Sequence, residues 1–364
     1  MTLKPLKTWG LLAGGLFITG MIGINGLAIM HGRAMTTLVS QNSESNESNR
    51  TRPPEELGIL AKSKVLLTGV ELPRPAPVEP PPQFTELGLE THYYPSPSGH
   101  TLESWYLPPP PPLSSTPLAE PQSKPASPAS PASPAPFAPL AERQSKPPHN
   151  LFILFHPYGS SKISMVAIAQ ELYQMGYGVM LVDFYGSGGS SGTTTSIGYF
   201  EALDVVASVD YARDQWHPDT IQLYGASMGG AAVLRAVAVH DVEVEAIAIE
   251  SAFDSLLNTV KNRFDVMGLP STPLAELLTF WGGQQRNFNA FHHAPNHYAK
   301  QISTPTLLLH GQNDQRVTQN QAEAIYQNLQ GWKHFSLYPG GGHGSSYHNN
   351  PTQWRNDLQR LKIN

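Results

Sequence analysis

Three residue types in this chain sit in patterns that suit acyl transfer. Ser227 lies in Gly225-Ala226-Ser227-Met228-Gly229, a G-x-S-x-G pattern between an apolar run, Ile221 to Tyr224, and a run of helical spacing, Gly229 to Val239. A serine at a sharp strand-to-helix turn is held in a strained backbone conformation, where bulky neighbours would collide. The following helix points its N-terminal N–H groups toward developing negative charge. A serine hydroxyl is a poor nucleophile at neutral pH and needs an adjacent base. The base in turn needs an acid to fix its tautomer and stabilise the imidazolium. Asp314 follows the apolar run Leu307 to His310, in Gly311-Gln312-Asn313-Asp314-Gln315-Arg316-Val317. His343 follows Phe335 to Tyr338, in Gly340-Gly341-Gly342-His343. Asp254 and Glu250 are alternative acids.

Such groups belong in loops at the carboxyl ends of parallel strands, and the chain has elements to place them there. Leu151 to Phe155, Tyr177 to Val182, Ile221 to Tyr224, Val244 to Ile249, Thr306 to His310 and His334 to Tyr338 read as buried strands. Between them Ile163–Met175, Tyr199–Trp216, Gly229–Val239, Gln319–Leu329 and Thr352–Leu361 have helical periodicity. This alternation predicts a mostly parallel sheet covered by helices on both faces. An earlier pair, Leu89 to Tyr94 and Leu102 to Leu107, reads as a hairpin turning at Ser98-Gly99. Residues 252–302 break the rhythm and are expected to form a cap over the site. Phe280, Trp281, Phe288 and Phe291 lie within it and are candidates for an acyl pocket or for its packing.

The chain has 364 residues, a net charge of −5 and no cysteine. Disulfides, cysteine-ligated metals and a thiol nucleophile are excluded, and no global basic field points to nucleic acid. Lys4 and Lys7 precede an apolar run, Trp9 to Met30, of a length that can span a bilayer. Residues 1–31 are therefore expected to be a single-pass signal anchor. The balance of basic residues puts the N-terminus in the cytoplasm and the remainder outside it; Gly26-Leu27-Ala28 would serve as a cleavage site if the segment were removed. Gly10 and Gly14 form a G-x-x-x-G pair suited to helix packing. Residues 32–85 read as a polar, then proline-rich linker, and 86–364 as one catalytic domain. Within that domain 108–148 is a proline-, serine- and alanine-rich insertion in which Pro117–Pro125 recurs nearly unchanged as Pro139–Pro147.

The ordered set Ser227, Asp314, His343, together with the two patterned loops, resembles the α/β-hydrolase superfamily from about Leu89 to Leu361. It is similar in particular to single-pass, membrane-anchored serine hydrolases of the Bem46 type. Asp183-Phe184-Tyr185-Gly186-Ser187-Gly188-Gly189-Ser190 corresponds to the D-x-R-G-x-G-x-S stretch of that group, with Tyr185 replacing arginine. The resemblance implies the α/β-hydrolase fold and an oxyanion hole built from the N–H groups of Met228 and Tyr158. The loop His156-Pro157-Tyr158-Gly159 carries Pro157 where the family has glycine, and proline has no N–H to donate. His156 is expected to position the loop. The resemblance selects Asp314 as the acid.

Other candidates carry less. Gly186 to Gly192 lacks both phosphate-loop spacings. His292, His293 and His297 could suggest a metal, but Ala294 stands where H-E-x-x-H needs glutamate, and Pro295 disfavours the helix. His310 is expected to be a packed core histidine. No cofactor and no metal are expected. The expected reaction is hydrolysis of a small-molecule carboxylic ester or thioester through an acyl-enzyme, acyl lipids and acylated molecules being suited to a membrane-tethered domain. A serine peptidase or amidase of the same fold is the first alternative. The second is an inactive membrane-tethered scaffold whose proline-rich arm binds partners.

Overall fold

The computed structural model describes residues 6–39, 58, 72–111 and 149–361, with side chains from residue 21 onward in the first helix. That helix, α1, runs Leu6–Thr36. Two short parallel strands follow, β1 (Leu38–Val39) and β2 (Leu72–Pro73). The main sheet contains β3 (Glu90–Pro95), β4 (Thr101–Leu107), β5 (Asn150–Phe155), β6 (Gly178–Asp183), β7 (Thr220–Ala226), β8 (Ala246–Glu250), β9 (Thr306–Gly311) and β10 (Lys333–Tyr338). Its order is β10-β9-β8-β7-β5-β6-β4-β3. The six strands from β5 to β10 are mutually parallel, and β4 closes that side antiparallel to both β6 and β3.

The continuous apolar runs of the sequence form the central strands because both faces are covered. Alternate residues of β5 enter opposite cores. Leu151, Ile153 and Phe155 pack with α3 (Glu201–Trp216) and α4 (Met228–Val239). Phe152 and Leu154 pack with α2 (Val166–Gln174) and α8 (Pro351–Arg360). The cap residues 252–302 contain α5 (Leu256–Val266) and α6 (Leu274–Gln285), followed by short helical turns. A separate apolar cluster, including Phe253, Leu256, Phe264 and Phe288, joins the cap internally. A further helix, α7 (Gln319–Asn328), starts with a capping box made by Thr318 and Gln321.

The N-terminal region departs from the expected division into anchor and linker. The boundary expected at residue 31 falls inside α1, and the far half of α1 is docked on the cap. Gly32 meets Gly282 of α6 backbone to backbone, since a Cβ on Gly32 would lie 2.9 Å from Gly282 N. Trp281 Nε1 donates to Asn25 Oδ1 at 3.0 Å, and Arg286 donates to Thr37 Oγ1 at 2.7 Å. Past α1, part of the expected linker is also tied down. Leu38 N–H donates to Thr193 O, and the Arg74 guanidinium donates to the carbonyls of Gly188, Ser190 and Gly192. Among the described residues no helix is long and apolar enough to cross a membrane. The expected span, Trp9 to Met30, and the Gly10–Gly14 pair lie largely or wholly outside the residues whose side chains are described. Most of 40–71 and all of 112–148, including the repeated proline-rich motif, also lie outside them.

A buried charge cluster holds the far end of the loop that follows β5. Lys162 Nζ donates to Glu103 at 2.5 Å and to Asp183, and its ammonium lies 4.4 Å from the Trp105 ring centroid. Lys162 N–H also donates to Asp183 Oδ1 at 2.7 Å. Removing one member of such a cluster strands the others, and breaking a buried ion pair costs about 3–5 kcal/mol. Lys162→Met is therefore expected to lower unfolding free energy by about that amount in urea melts. A loss within about 0.5 kcal/mol, as for a surface substitution, would contradict this.

Candidate active site

The turn between β7 and α4 carries Ser227 at φ 51° and ψ −110°. This is a conformation L-residues avoid, and it is held by the packing around it. A Cβ on Gly225 would lie 2.6 Å from the Gly229 backbone, and one on Gly229 would lie 2.3 Å from Phe155 O. Both glycines of G-x-S-x-G are thus required by close backbone approach rather than by their own dihedrals. Ser227 N–H donates to Glu250 O at 2.7 Å, which ties the turn to the end of β8.

His343 lies in the loop after β10 and Asp314 in the loop after β9. Their side chains meet at Ser227. His343 Nε2 is 3.2 Å from Ser227 Oγ, and its Nδ1–H donates to Asp314 Oδ2 at 2.7 Å. The other carboxylate oxygen of Asp314 accepts from Arg316 N at 2.8 Å and Val317 N at 3.0 Å. Burial alone would raise the Asp314 carboxyl. The His343 hydrogen bond and charge, with the Val317 and Arg316 N–H groups, outweigh it and hold the pKa below the ordinary value. The carboxylate therefore stays ionised and fixes the imidazole with Nε2 facing the serine. A hydroxyl, imidazole and carboxylate so linked can move a proton from Oγ as Oγ attacks a carbonyl carbon.

The alternative acids are engaged elsewhere. Glu250 is buried, with its pKa pushed up by that burial, and it accepts from Tyr224 OH at 2.5 Å and from Ser346 N–H. Asp254 accepts from Asn258 Nδ2 at 2.7 Å.

A cavity of about 370 Å³ opens on Ser227 and His343, with Pro157 and Tyr158 in its wall. Met228 is the first residue of α4, so its N–H has no intrahelical acceptor. The Pro157 loop is held by His156. Nδ1–H of His156 donates to Pro157 O at 2.8 Å, and its Nε2 accepts from Phe184 N at 3.2 Å. Burial pushes the His156 pKa down and keeps the ring neutral, as those two roles require.

Some wall residues were not singled out from sequence as functional: Arg263 from the cap, Met165 just before α2, Ile168 in its first turn, and Arg316. Arg316 lies within the acid's own loop pattern, two residues after Asp314, which is a local signal. Arg263 is brought in by the cap fold and left no local signal.

The other candidates resolve into structure. His293 is buried, with Nε2–H donating to Ile197 O at 3.0 Å and Nδ1 lying 3.2 Å from Tyr298 OH. Burial pushes its pKa down to about 4. His292 and His297 are exposed. His310 is buried in the core at the end of β9, as expected. The cap aromatics do not line the Ser227 cavity: Phe280 and Phe291 are exposed, Trp281 faces α1, and Phe288 stacks on Tyr199.

Residues 163–361, more than half of the chain, match the family model described as the prolyl oligopeptidase family. Among curated proteins, the uncharacterized protein YqkD of Bacillus subtilis is 25% identical over 225 residues, covering 60% of this chain and 73% of YqkD. The uncharacterized protein YfhR of Escherichia coli K12 is 25% identical over 173 residues, covering 47% of this chain and 55% of YfhR. Among solved structures, the Pyrococcus furiosus esterase Pf2001 superposes with a TM-score of 0.56 at 18% identity, covering 79% of this chain and 96% of the esterase. Est1E from Butyrivibrio proteoclasticus, solved with ferulic acid, has a TM-score of 0.51 at 17% identity, covering 74% and 98%. At these identities the two structures establish a shared fold.

The position of Asp314 has a pH consequence. Its folded pKa is depressed, so its ionised form stabilises the fold above the unfolded value of about 4. That stabilisation is lost as pH falls through the lower, folded value. In urea melts across pH, the stability difference between wild type and Asp314→Asn is expected to be constant near neutrality and to shift in the variant's favour below about pH 4. A difference that does not change with acidification would contradict an ionised, His343-paired Asp314.

Proposed function

The chain belongs to the prolyl oligopeptidase family, within the α/β-hydrolase superfamily, and from that premise we propose that it is a serine hydrolase acting on carboxylic esters or thioesters. The observation that carries the proposal is the hydrogen-bonded series Ser227, His343, Asp314, set on a strained turn at the floor of a cavity. Ser227 is the nucleophile, His343 the general base and then acid, and Asp314 the group that orients it. His343 takes the Oγ proton as Oγ bonds to the carbonyl carbon. The negative oxygen so formed is held by the N–H groups of Met228 and Tyr158, each donor of this kind being worth about 10²–10³ in rate. Collapse breaks the bond to the alcohol or thiol, which leaves with the proton from His343. Water, deprotonated by His343, then repeats the attack on the acyl-enzyme and releases the acid.

The same groups can cleave an amide, and the family description favours that second reading. We also propose that α1 anchors the protein as a single-pass helix with the hydrolase domain on the extracytoplasmic side. This reading is supported by the apolar run Trp9 to Met30 with its basic flank, and by the exposed apolar side chains Ile22 and Ile29 on α1 and Phe280 on the adjoining α6. Membrane extraction and N-terminal sequencing test it. The expected result is a detergent-requiring chain that keeps its first residues. A mature chain starting near Ile29 would overturn it.

Turnover of a p-nitrophenyl ester, an acyl thioester and a peptide p-nitroanilide tests the reaction class. The ester and thioester are expected to be hydrolysed, and Ser227→Ala to lower kcat by up to about 10⁶-fold. Turnover of the anilide alone would favour the amidase. A folded wild type that turns over none of the three would leave the inactive scaffold.

A further inference from the structure

Beside the Ser227 cavity lies a second one, of about 260 Å³, between α1 and the cap. Its walls include Leu27, Ala28 and Met35 from α1, Phe264 from α5, Met267 just after it, and Leu278 from α6. Its polar side chains are His31, Arg263 and Tyr158, and the rest of the wall is aliphatic, methionine or aromatic. Two side chains, Tyr158 and Arg263, line both cavities. Those two residues form the wall that the two cavities share.

The wall supplied by α1 is fixed in place. Besides the Gly32–Gly282 approach and the Asn25–Trp281 bond, Gln285 Nε2 donates to Ile29 O at 2.9 Å. Tyr158 OH donates to Met35 O at 2.5 Å, so the loop carrying the second oxyanion donor is bonded to α1 itself. Burial pushes the Tyr158 hydroxyl pKa up, which keeps it protonated and able to donate.

We propose that this cavity is the acyl-chain subsite, with α1 as one wall, and that the substrate is an ester or thioester of a long-chain fatty acid. The inference rests on the serine hydrolase reading of Ser227. A carbonyl held between Ser227 Oγ and the Tyr158 N–H has its acyl chain beside Tyr158, which also lines the apolar cavity. Each methylene buried there adds a favourable increment to binding, whereas the Ser227 cavity, bordered by Arg263, Arg316, Glu250 and His348, suits the polar end of the substrate. The helix expected only to anchor the domain thereby takes part in choosing what is hydrolysed.

Two measurements on the full chain in detergent test this. In the first, kcat/KM is measured for p-nitrophenyl acetate and p-nitrophenyl dodecanoate. The dodecanoate-to-acetate ratio is expected to be well above one for wild type and to fall roughly tenfold or more in Leu278→Trp and Ala28→Trp, which fill the cavity from opposite walls. A ratio unchanged in both variants overturns the subsite. In the second, wild type is labelled with a long-chain alkyl fluorophosphonate bearing a terminal diazirine, then irradiated and mapped by mass spectrometry. Crosslinks are expected on α1, α6, α5 or the residue that follows α5, among them Leu27, Met267 and Leu278. A serine adduct whose crosslinks map elsewhere overturns the subsite even if the tryptophan variants fail to fold. Absence of both acetate turnover and the serine adduct is a failure of the hydrolase reading instead.

Discussion

The structure is organised around a turn that leaves no room for side chains. Ser227 occupies a positive-φ conformation of a kind that costs of order 1–3 kcal/mol. It persists because β7, α4 and the end of β5 approach so closely that Gly225 and Gly229 have no space for a Cβ. The turn sets the direction of Oγ, places the first N–H of α4 beside it, and fixes where a base must stand. Only the loops at the carboxyl ends of neighbouring strands can reach that point. β9 and β10, paired in parallel along their whole length, deliver Asp314 and His343 there.

Electrostatics complete what the backbone begins. The Asp314 carboxylate is nearly buried yet holds its charge, because a histidine and two backbone N–H groups meet it. The loop facing the serine is held by neutral His156 on one side and by the Lys162–Glu103–Asp183 cluster on the other. Pro157 is accommodated by this pair of tethers: its carbonyl, the one backbone hydrogen-bonding group a proline retains, accepts from His156.

Much of this was legible in the sequence, for physical reasons. Strands buried on both faces must be continuous apolar runs. Leu151–Phe155 and Thr306–His310 accordingly lie within one residue of the observed strand limits. The turn glycines, Asp314 and His343 are each marked by their neighbours in the chain. Contacts between distant segments leave no such mark. Nothing local tells that Gly32 will meet Gly282, that Arg263 will border the serine, or that Arg74 will bind three carbonyls of the loop after β6. The apolar character of α1 suggested a bilayer and another such helix as its partners, while its far half is docked on the cap. The cap aromatics were chosen by residue type, and type does not reveal direction. Phe280 and Phe291 face outward, and the apolar cavity is lined instead by aliphatic residues of α1, α5 and α6 together with Phe264.

The central claim is that Ser227 is an activated nucleophile. A fluorophosphonate reacts covalently with such a serine and spares an ordinary hydroxyl. Intact-mass analysis with peptide mapping of the folded protein is therefore the most direct measurement. A single adduct on the peptide containing Ser227, absent from Ser227→Ala, is the predicted result. A folded wild type that takes up no adduct, or an adduct that persists in Ser227→Ala, would contradict it.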